Sequence, residues 1–281
     1  MTVSTNYKFN IGINMKILQR YLTWQKFIFL CEDQGFFLAP LSVQSDPEEG
    51  IYNSTVSEQS VKEVATEFSS SELDSESLKD IKIEVDDLQN KMMINNRNHT
   101  FISSWFIGQE ESQEMWEQYS DDNGVVIFSR DDLLVSELPP CLKVLDSFVF
   151  RDVTYDNKQK NQIQHQPAGF KKEAFKKEQE HRIIFDLTTF ELLTGQHKLE
   201  AFIGDEPANQ YLEKSGTISK TDLDICKQFL IEKGNGFVVK YDLSKTITEV
   251  RVNVKASPKA KQEIKRLCES KNLNYRISKQ V

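Results

Sequence analysis

The sequence is short of the residues that build metal centres and disulfide frameworks. Its 281 residues include four cysteines and four histidines. Cys31, Cys141, Cys226 and Cys268 lie far apart, with no Cys-x-x-Cys pair and no histidine at ligand spacing. That argues against a zinc site or a disulfide scaffold and fits a reducing cytoplasm, with the thiols as small buried hydrophobes. Long apolar runs are also missing. Ile17–Leu30 is interrupted by Arg20, Gln25 and Lys26, so neither a membrane span nor a signal-peptide core is expected. No Gly-x-Gly-x-x-Gly fingerprint follows a strand, which leaves a Rossmann-type dinucleotide site without support. Positive charge is in deficit: 35 Lys and Arg against 43 Asp and Glu give −8. A protein that coats nucleic acid non-specifically is disfavoured, although lysines gather in Lys158–Lys177 and Arg251–Lys279 and leave a local basic face open.

What is present is a globular composition, 38% hydrophobic and 28% charged. Residues 1–15 read as a loose leader and 16–281 as one α+β domain. An acidic helical insertion at about 54–90 carries Val61, Val64 and Phe68 on one helix face and Leu73, Leu78 and Ile81 on a second. The first ordered stretch predicts a strand or turn at Gln19–Tyr21, then a helix through Phe27 to Cys31 ended by Gly35. A short strand at Phe36–Leu38 follows. Strands are predicted at Thr100–Phe106 and Gly124–Phe128, helices at Glu110–Ser120 and Arg130–Ser136, and a β-prone run over Cys141–Tyr155. Phe170–Lys177 has helical spacing and delivers the chain to a strand at Glu178–Phe185. A capping box at Thr221 and Asp224 opens a helix to Glu232. Gly236–Tyr241, Thr248–Val254 and Leu273–Ile277 read as strands, and Ser257-Pro258 starts the last helix. Strands and helices interleave without a βαβ rhythm. The expectation is an α+β fold with a central mixed or antiparallel sheet, split or continuous, flanked by helices.

The densest chemistry lies in Glu178-Gln179-Glu180-His181-Arg182. On a strand, Glu178, Glu180 and Arg182 share one face while Ile183 and Phe185 pack on the other. Two carboxylates side by side repel unless a cationic substrate or a developing positive charge lies nearby. The plainer alternative is a charged, exposed edge-strand face. Three other clusters accompany it: Arg20-Tyr21, Ser103-Ser104-Trp105, and Met115-Trp116 with Tyr119 one helical turn on. Core packing is the simpler role for these aromatics and a surface ion pair for Arg20.

In order, Arg20-Tyr21, Asp46-Pro47-Glu48-Glu49, Phe101-Ile102-Ser103-Ser104, Met115-Trp116-Glu117-Gln118-Tyr119 through Gly124, and Glu178-Gln179-Glu180-His181-Arg182 form a series. With Ile247–Val250 and Ala256-Ser257-Pro258 after it, the series resembles a bacterial and phage family known as domain of unknown function twenty-nine seventy-one. Ser45 stands where that family usually has Asn, His181 where it has Tyr, and the Tyr119–Gly124 spacing is one residue short. The family's motif order in turn resembles that of ADP-ribosyltransferases. That resemblance implies NAD as a substrate, no metal, and a macromolecular acceptor. It also implies an antitoxin or chaperone partner, no membrane, and a role in phage defence or as a toxin. Cleaving the nicotinamide–ribose bond passes through an oxocarbenium-like state. In such a site Glu180 would stabilise that charge, Glu178 would orient or deprotonate the acceptor, and Arg20 would clamp a phosphate or the ribose. Tyr21, Ser103, Ser104 and Arg182 would line the cofactor, and Trp105, Trp116 or Tyr119 would stack on nicotinamide.

Two other readings compete. In one, Arg20, Tyr119, Glu180 and Arg182 form a buried polar network in a non-catalytic binding module. In the other, Asp46, Glu49, Glu178 and Glu180 bind a metal in a nuclease. Geometry separates them. A transferase needs Arg20, Ser103 and Glu180 around one open cleft, a structural network seals them from solvent, and a nuclease brings Asp46 within metal-sharing distance of Glu180.

Overall fold

In the computed structural model, residues 15–46, 49–51, 75–156, 167–195 and 218–279 are described. The first strand, β1 (Ile17–Leu22), alternates core and partner-face residues. Thr23 then caps α1 (Trp24–Asp33) by accepting from the Lys26 N–H. Gln34, not Gly35, takes the left-handed turn that ends this helix, at φ 52°. Gly35 opens β2 (Gly35–Pro40) instead. A Cβ there would stand 2.3 Å from the Val239 carbonyl oxygen, so backbone proximity and not turn geometry demands the glycine. A 3-10 turn covers Leu41–Val43. Next come α2 (Ser75–His99), β3 (Thr100–Ile107), α3 (Gln113–Tyr119), β4 (Val125–Arg130), α4 (Asp131–Ser136) and α5 (Pro140–Lys143). Strands β5 (Phe148–Asp152), β6 (Thr154–Tyr155) and β7 (Phe170–Lys171) lead through a 3-10 segment, Glu173–Glu178, to β8 (Glu180–Asp186). The chain closes with α6 (Leu187–Thr194), α7 (Lys220–Phe229), β9 (Leu230–Lys233) and β10 (Gly236–Lys240). After these come α8 (Leu243–Thr246), β11 (Glu249–Val252), α9 (Pro258–Ser270) and β12 (Tyr275–Ile277).

Several boundaries differ from the sequence reading for local physical reasons. The expected helix at Phe170–Lys177 is a two-residue strand and a 3-10 segment, because Lys171 is drawn into a buried ion cluster. Ser219, not Thr221, caps α7, and that helix yields to β9 at Leu230. The second half of the acidic insertion is one helix that runs past Asn90 directly into β3. The leader at residues 1–14, and Val61, Val64, Phe68 and Leu73, lie outside the described residues.

The described strands form a mixed, open sheet of ten, with β6 and β7 paired separately. Only β11 and β12 pair in parallel within it. Strand β3 is the hinge of the architecture. One edge pairs with β8 from Thr100 to Phe106. The other edge is shared, with β2 meeting Phe101 and Ile102 while β1 meets Phe106 and Ile107. The sheet therefore splits at Ser103–Trp105, where β1 and β2 diverge. Its main face buries Leu18, Phe101, Trp105, Ile127, Ile183 and Phe185 under α1 and α4 to α9. The reverse face carries two smaller cores, Tyr21 with Met115, Trp116, Val126 and Phe128, and Leu41 with Ile102, Ala168 and Ile184. No described helix is long and apolar enough to cross a membrane.

Candidate functional site: a buried five-charge cluster

Strand alternation and register divide the expected site residues between the two faces. Arg20 faces the main core with Leu18 and Leu22, as Ser103 and Trp105 do with Phe101. Glu180 and Arg182 point to the reverse face, paired with Phe106 and the half-buried Ser104. The sheet thus separates Arg20, Ser103 and Trp105 from Glu180, and no single cleft gathers all four. The reason is parity: Ser103 and Ser104 are neighbours, and a strand sends neighbours to opposite sides.

On the reverse face, five charged side chains converge. Glu178 ends the 3-10 segment, and Gln179, at φ 37°, turns the chain so that Glu178 comes back beside Glu180 at the start of β8. Glu178 is therefore not part of the strand, yet it meets its expected partner. Lys171 Nζ donates to Glu178 Oε2 at 2.5 Å and Glu180 Oε1 at 2.6 Å. Arg182 Nε donates to Glu180 Oε2 at 2.7 Å, its NH1 to the Ala168 carbonyl at 2.7 Å, and its NH2 lies 2.5 Å from Glu49 Oε1. Lys171 Nζ is 3.7 Å from the other Glu49 oxygen. Arg182 is 0% exposed, Glu49 3%, and Lys171, Glu178 and Glu180 6% each, so charges this deep must neutralise one another. Three carboxylates face two cations, leaving one negative charge in excess.

The two neighbouring carboxylates respond in opposite directions. Burial alone would raise Glu180, but Arg182, then its neighbour Glu178 and Lys171, outweigh it and hold Glu180 well below the usual carboxylate range. Burial raises Glu178, and its neighbour Glu180 adds to the rise against the pull of Lys171. Burial likewise raises Glu49. Lys171 and Arg182 are held charged because the Glu180 and Glu49 carboxylates outweigh their desolvation.

Tyrosines lead from this cluster to solvent. Tyr119 Oη donates to Glu178 Oε1 at 3.0 Å, and the residue is 40% exposed. Burial and then Glu178 raise its phenol. Tyr155 accepts the Glu180 backbone N–H at 2.8 Å, and burial pushes its phenol up to about 12. Tyr119 is delivered by α3, a short helix held from both sides. Ser112 caps it, the Tyr21 hydroxyl accepts the Ser112 N–H at 2.7 Å, and Trp116 Nε1 donates to Glu111 Oε2 at 3.0 Å. Trp116 meets the Tyr21 ring edge-on and is buried, so it anchors the helix and does not line a mouth. Tyr21 does the same from β1.

Lys171 and Tyr155 complete the cluster and were not singled out. Glu49, grouped with Glu178 and Glu180 in the nuclease reading, does join them, as an ion-pair partner of Arg182 and Lys171. The place a divalent ion would take between Glu178 and Glu180 is filled by the Lys171 ammonium. Among the described residues no group of three or more His, Cys, Asp or Glu is placed to hold a metal. Arg20, across the sheet, donates to the Phe37 carbonyl at 3.2 Å and lies over the Trp105 ring, bridging the two arms of the split. Compared with protein-family models, curated proteins and solved structures, the chain matches none, so the assignment of function rests on this geometry.

Proposed function

We propose that the chain is an ADP-ribosyltransferase-like enzyme that takes NAD as substrate, with Glu178 and Tyr119 at its reacting end. The observation that supports this reading is a pair of adjacent buried carboxylates beside a partly exposed tyrosine. Their surroundings push Glu180 below and Glu178 above the ordinary carboxylate range, the kind of division that acid–base chemistry uses. NAD supplies a ribosyl group whose bond to nicotinamide develops positive charge as it breaks. Both Glu180 oxygens are engaged by Lys171 and Arg182, so Glu180 contributes fixed negative charge and orients Lys171. Glu178 is held as fully, by Lys171 and Tyr119, but Tyr119 is exposed, and displacing its hydroxyl would free Glu178 Oε1 to meet a ribose hydroxyl and take up the acceptor's proton. The fit to NAD is partial: Tyr119 is exposed, Glu178 beneath it is buried, and Arg20 and Ser103 face away. The acceptor is a macromolecule, and the role is that of a toxin or phage-defence effector held in check by a partner.

The test is NAD consumption by purified protein with cell extract. Glu178→Gln should lower turnover by about two to three orders of magnitude with little change in NAD affinity or thermal stability. Wild-type protein that neither binds nor consumes NAD with its partner present would sink the proposal.

A second reading is favoured by the saturation of Glu180 and the burial of its neighbours. In it the five charges clasp β8 to Glu49 in a non-catalytic binding module. Glu178→Gln and Glu180→Gln would then shift the melting temperature and nothing else.

A further inference from the structure

The main face of the sheet holds a second polar group that the five-charge cluster does not use. At the split, four side chains come from adjacent positions on one face. Trp105 is cross-strand partner to His181, Ser103 is two residues along β3, and Arg20 reaches over the Trp105 ring with 5.9 Å from its guanidinium carbon to the ring centroid. Ser103 and Trp105 are each 1% exposed and His181 5%. Ser103 Oγ, Trp105 Nε1 and His181 Nε2 have no hydrogen-bond partner. His181 Nδ1 is occupied by Asp152 Oδ1 at 2.8 Å, and Asp152 is in turn paired with Lys16, so only Nε2 is left to act. The Arg20 guanidinium has a single hydrogen bond, to the Phe37 carbonyl, and no carboxylate partner among the described residues. Arg20 is half-buried, and its partial desolvation draws its pKa down. Buried unpaired donors are costly, and a half-buried cation without a counterion beside them adds attraction for an anion. The Ser103 hydroxyl, the Trp105 indole N–H and the Arg20 guanidinium are all served by the same chemistry, an acceptor carrying negative charge.

We infer that Arg20, Trp105 and Ser103 form a binding site for a small oxyanion, a phosphate or carboxylate group, at the split of the sheet. The planar guanidinium supplies paired N–H donors, and the indole N–H and serine hydroxyl supply directional ones. The site is separate from Glu178 and stands whether or not the chain consumes NAD.

Thermal unfolding of the full chain with inorganic phosphate tests it, against acetate and against chloride at matched ionic strength. Phosphate or acetate should raise the melting temperature with one-site concentration dependence, and chloride should not. Whichever of the two acts at lower concentration identifies the group. Arg20→Gln should abolish the increment, Trp105→Phe, which deletes the N–H, should weaken binding by about tenfold, and Glu178→Gln should leave it unchanged. An equal increment in wild type and Arg20→Gln, or from chloride, overturns the site. Should Arg20→Gln fail to fold, undiminished affinity in both Trp105→Phe and Ser103→Ala overturns it equally.

Discussion

Arg182 is the residue on which the reverse-face cluster depends. It is fully buried and touches Glu180, Glu49 and the Ala168 carbonyl at once. Arg182→Ala would leave three carboxylates facing one ammonium, and breaking a buried pair from one side costs about 3–5 kcal/mol. Chemical denaturation should read that loss as a lower midpoint at an unchanged slope. Glu180 gives a pH signature of known sign. Its folded pKa lies below the ordinary 4.5, so its stabilisation is complete above the unfolded value and is lost as pH falls through the folded one. Glu178 has the opposite sign, since its raised pKa makes stability fall as pH rises from the unfolded value through the folded one. Melting temperature against pH should therefore fall less steeply on acidification in Glu180→Gln than in wild type. Identical acid limbs in the two proteins would contradict the ion pairing. These partners were only half legible in the sequence. Glu178, Glu180 and Arg182 are neighbours and their meeting follows from local geometry. Lys171 sits in a lysine-rich loop where nothing marks one lysine as buried, and Glu49 comes from a turn more than a hundred residues away.

The element that ties cluster to surface is α3, and its position is set by groups outside it. Two residues outside it, Tyr21 and Glu111, hold its N-cap and Trp116. Glu111 also takes Ser278 Oγ at 2.5 Å and Arg251 at 2.9 Å, so a strand near the C terminus braces the helix that carries Tyr119. Tyr21→Phe removes the acceptor for the Ser112 N–H and should cost about 1 kcal/mol. Trp116→Ala, losing the buried ring as well, should cost about 3–5 kcal/mol. If α3 positions Tyr119, Tyr21→Phe should also weaken ligand binding although its own hydroxyl touches no ligand. Unchanged binding with reduced stability would leave only the packing role. The existence of α3 and its Met115, Trp116, Tyr119 face was readable from spacing. The division of labour was not, because Trp116 inside and Tyr119 outside differ only in how the helix is rolled against β1 and β4. Gly124 illustrates the same limit: a Cβ there would stand 2.4 Å from the Leu22 carbonyl, a close approach across strands that no local pattern reveals.

At the scale of the molecule, hydrophobic periodicity specified most of the strands, and their order across the sheet came from contacts far apart in sequence. The expected mixed or split sheet is a mixed one that parts at β3, and two adjacent serines on that strand fall on opposite sides of it. A site drawn on one cleft from motif order alone could not include that parity. The split makes a prediction about the whole fold. Arg20 is the side-chain link between the arms that carry β1 and β2, so Arg20→Gln should increase backbone amide exchange in Phe36–Leu38 more than in β4. Equal protection in wild type and variant would mean that the arms are held without it.

Strand β4 takes β1 on one edge and β11 on the other, and Thr248 hydrogen-bonds Phe128 across 120 residues of chain. During synthesis at about 5–20 residues per second, β4 therefore waits roughly 6–24 s for the partner on its second edge. Val125 to Phe128, wholly apolar, stay unpaired on that side for the interval. Nascent chains ending before Glu249 would present an adhesive edge. The yield of soluble protein should accordingly depend on chaperone supply and translation speed more than on the stability of the finished fold.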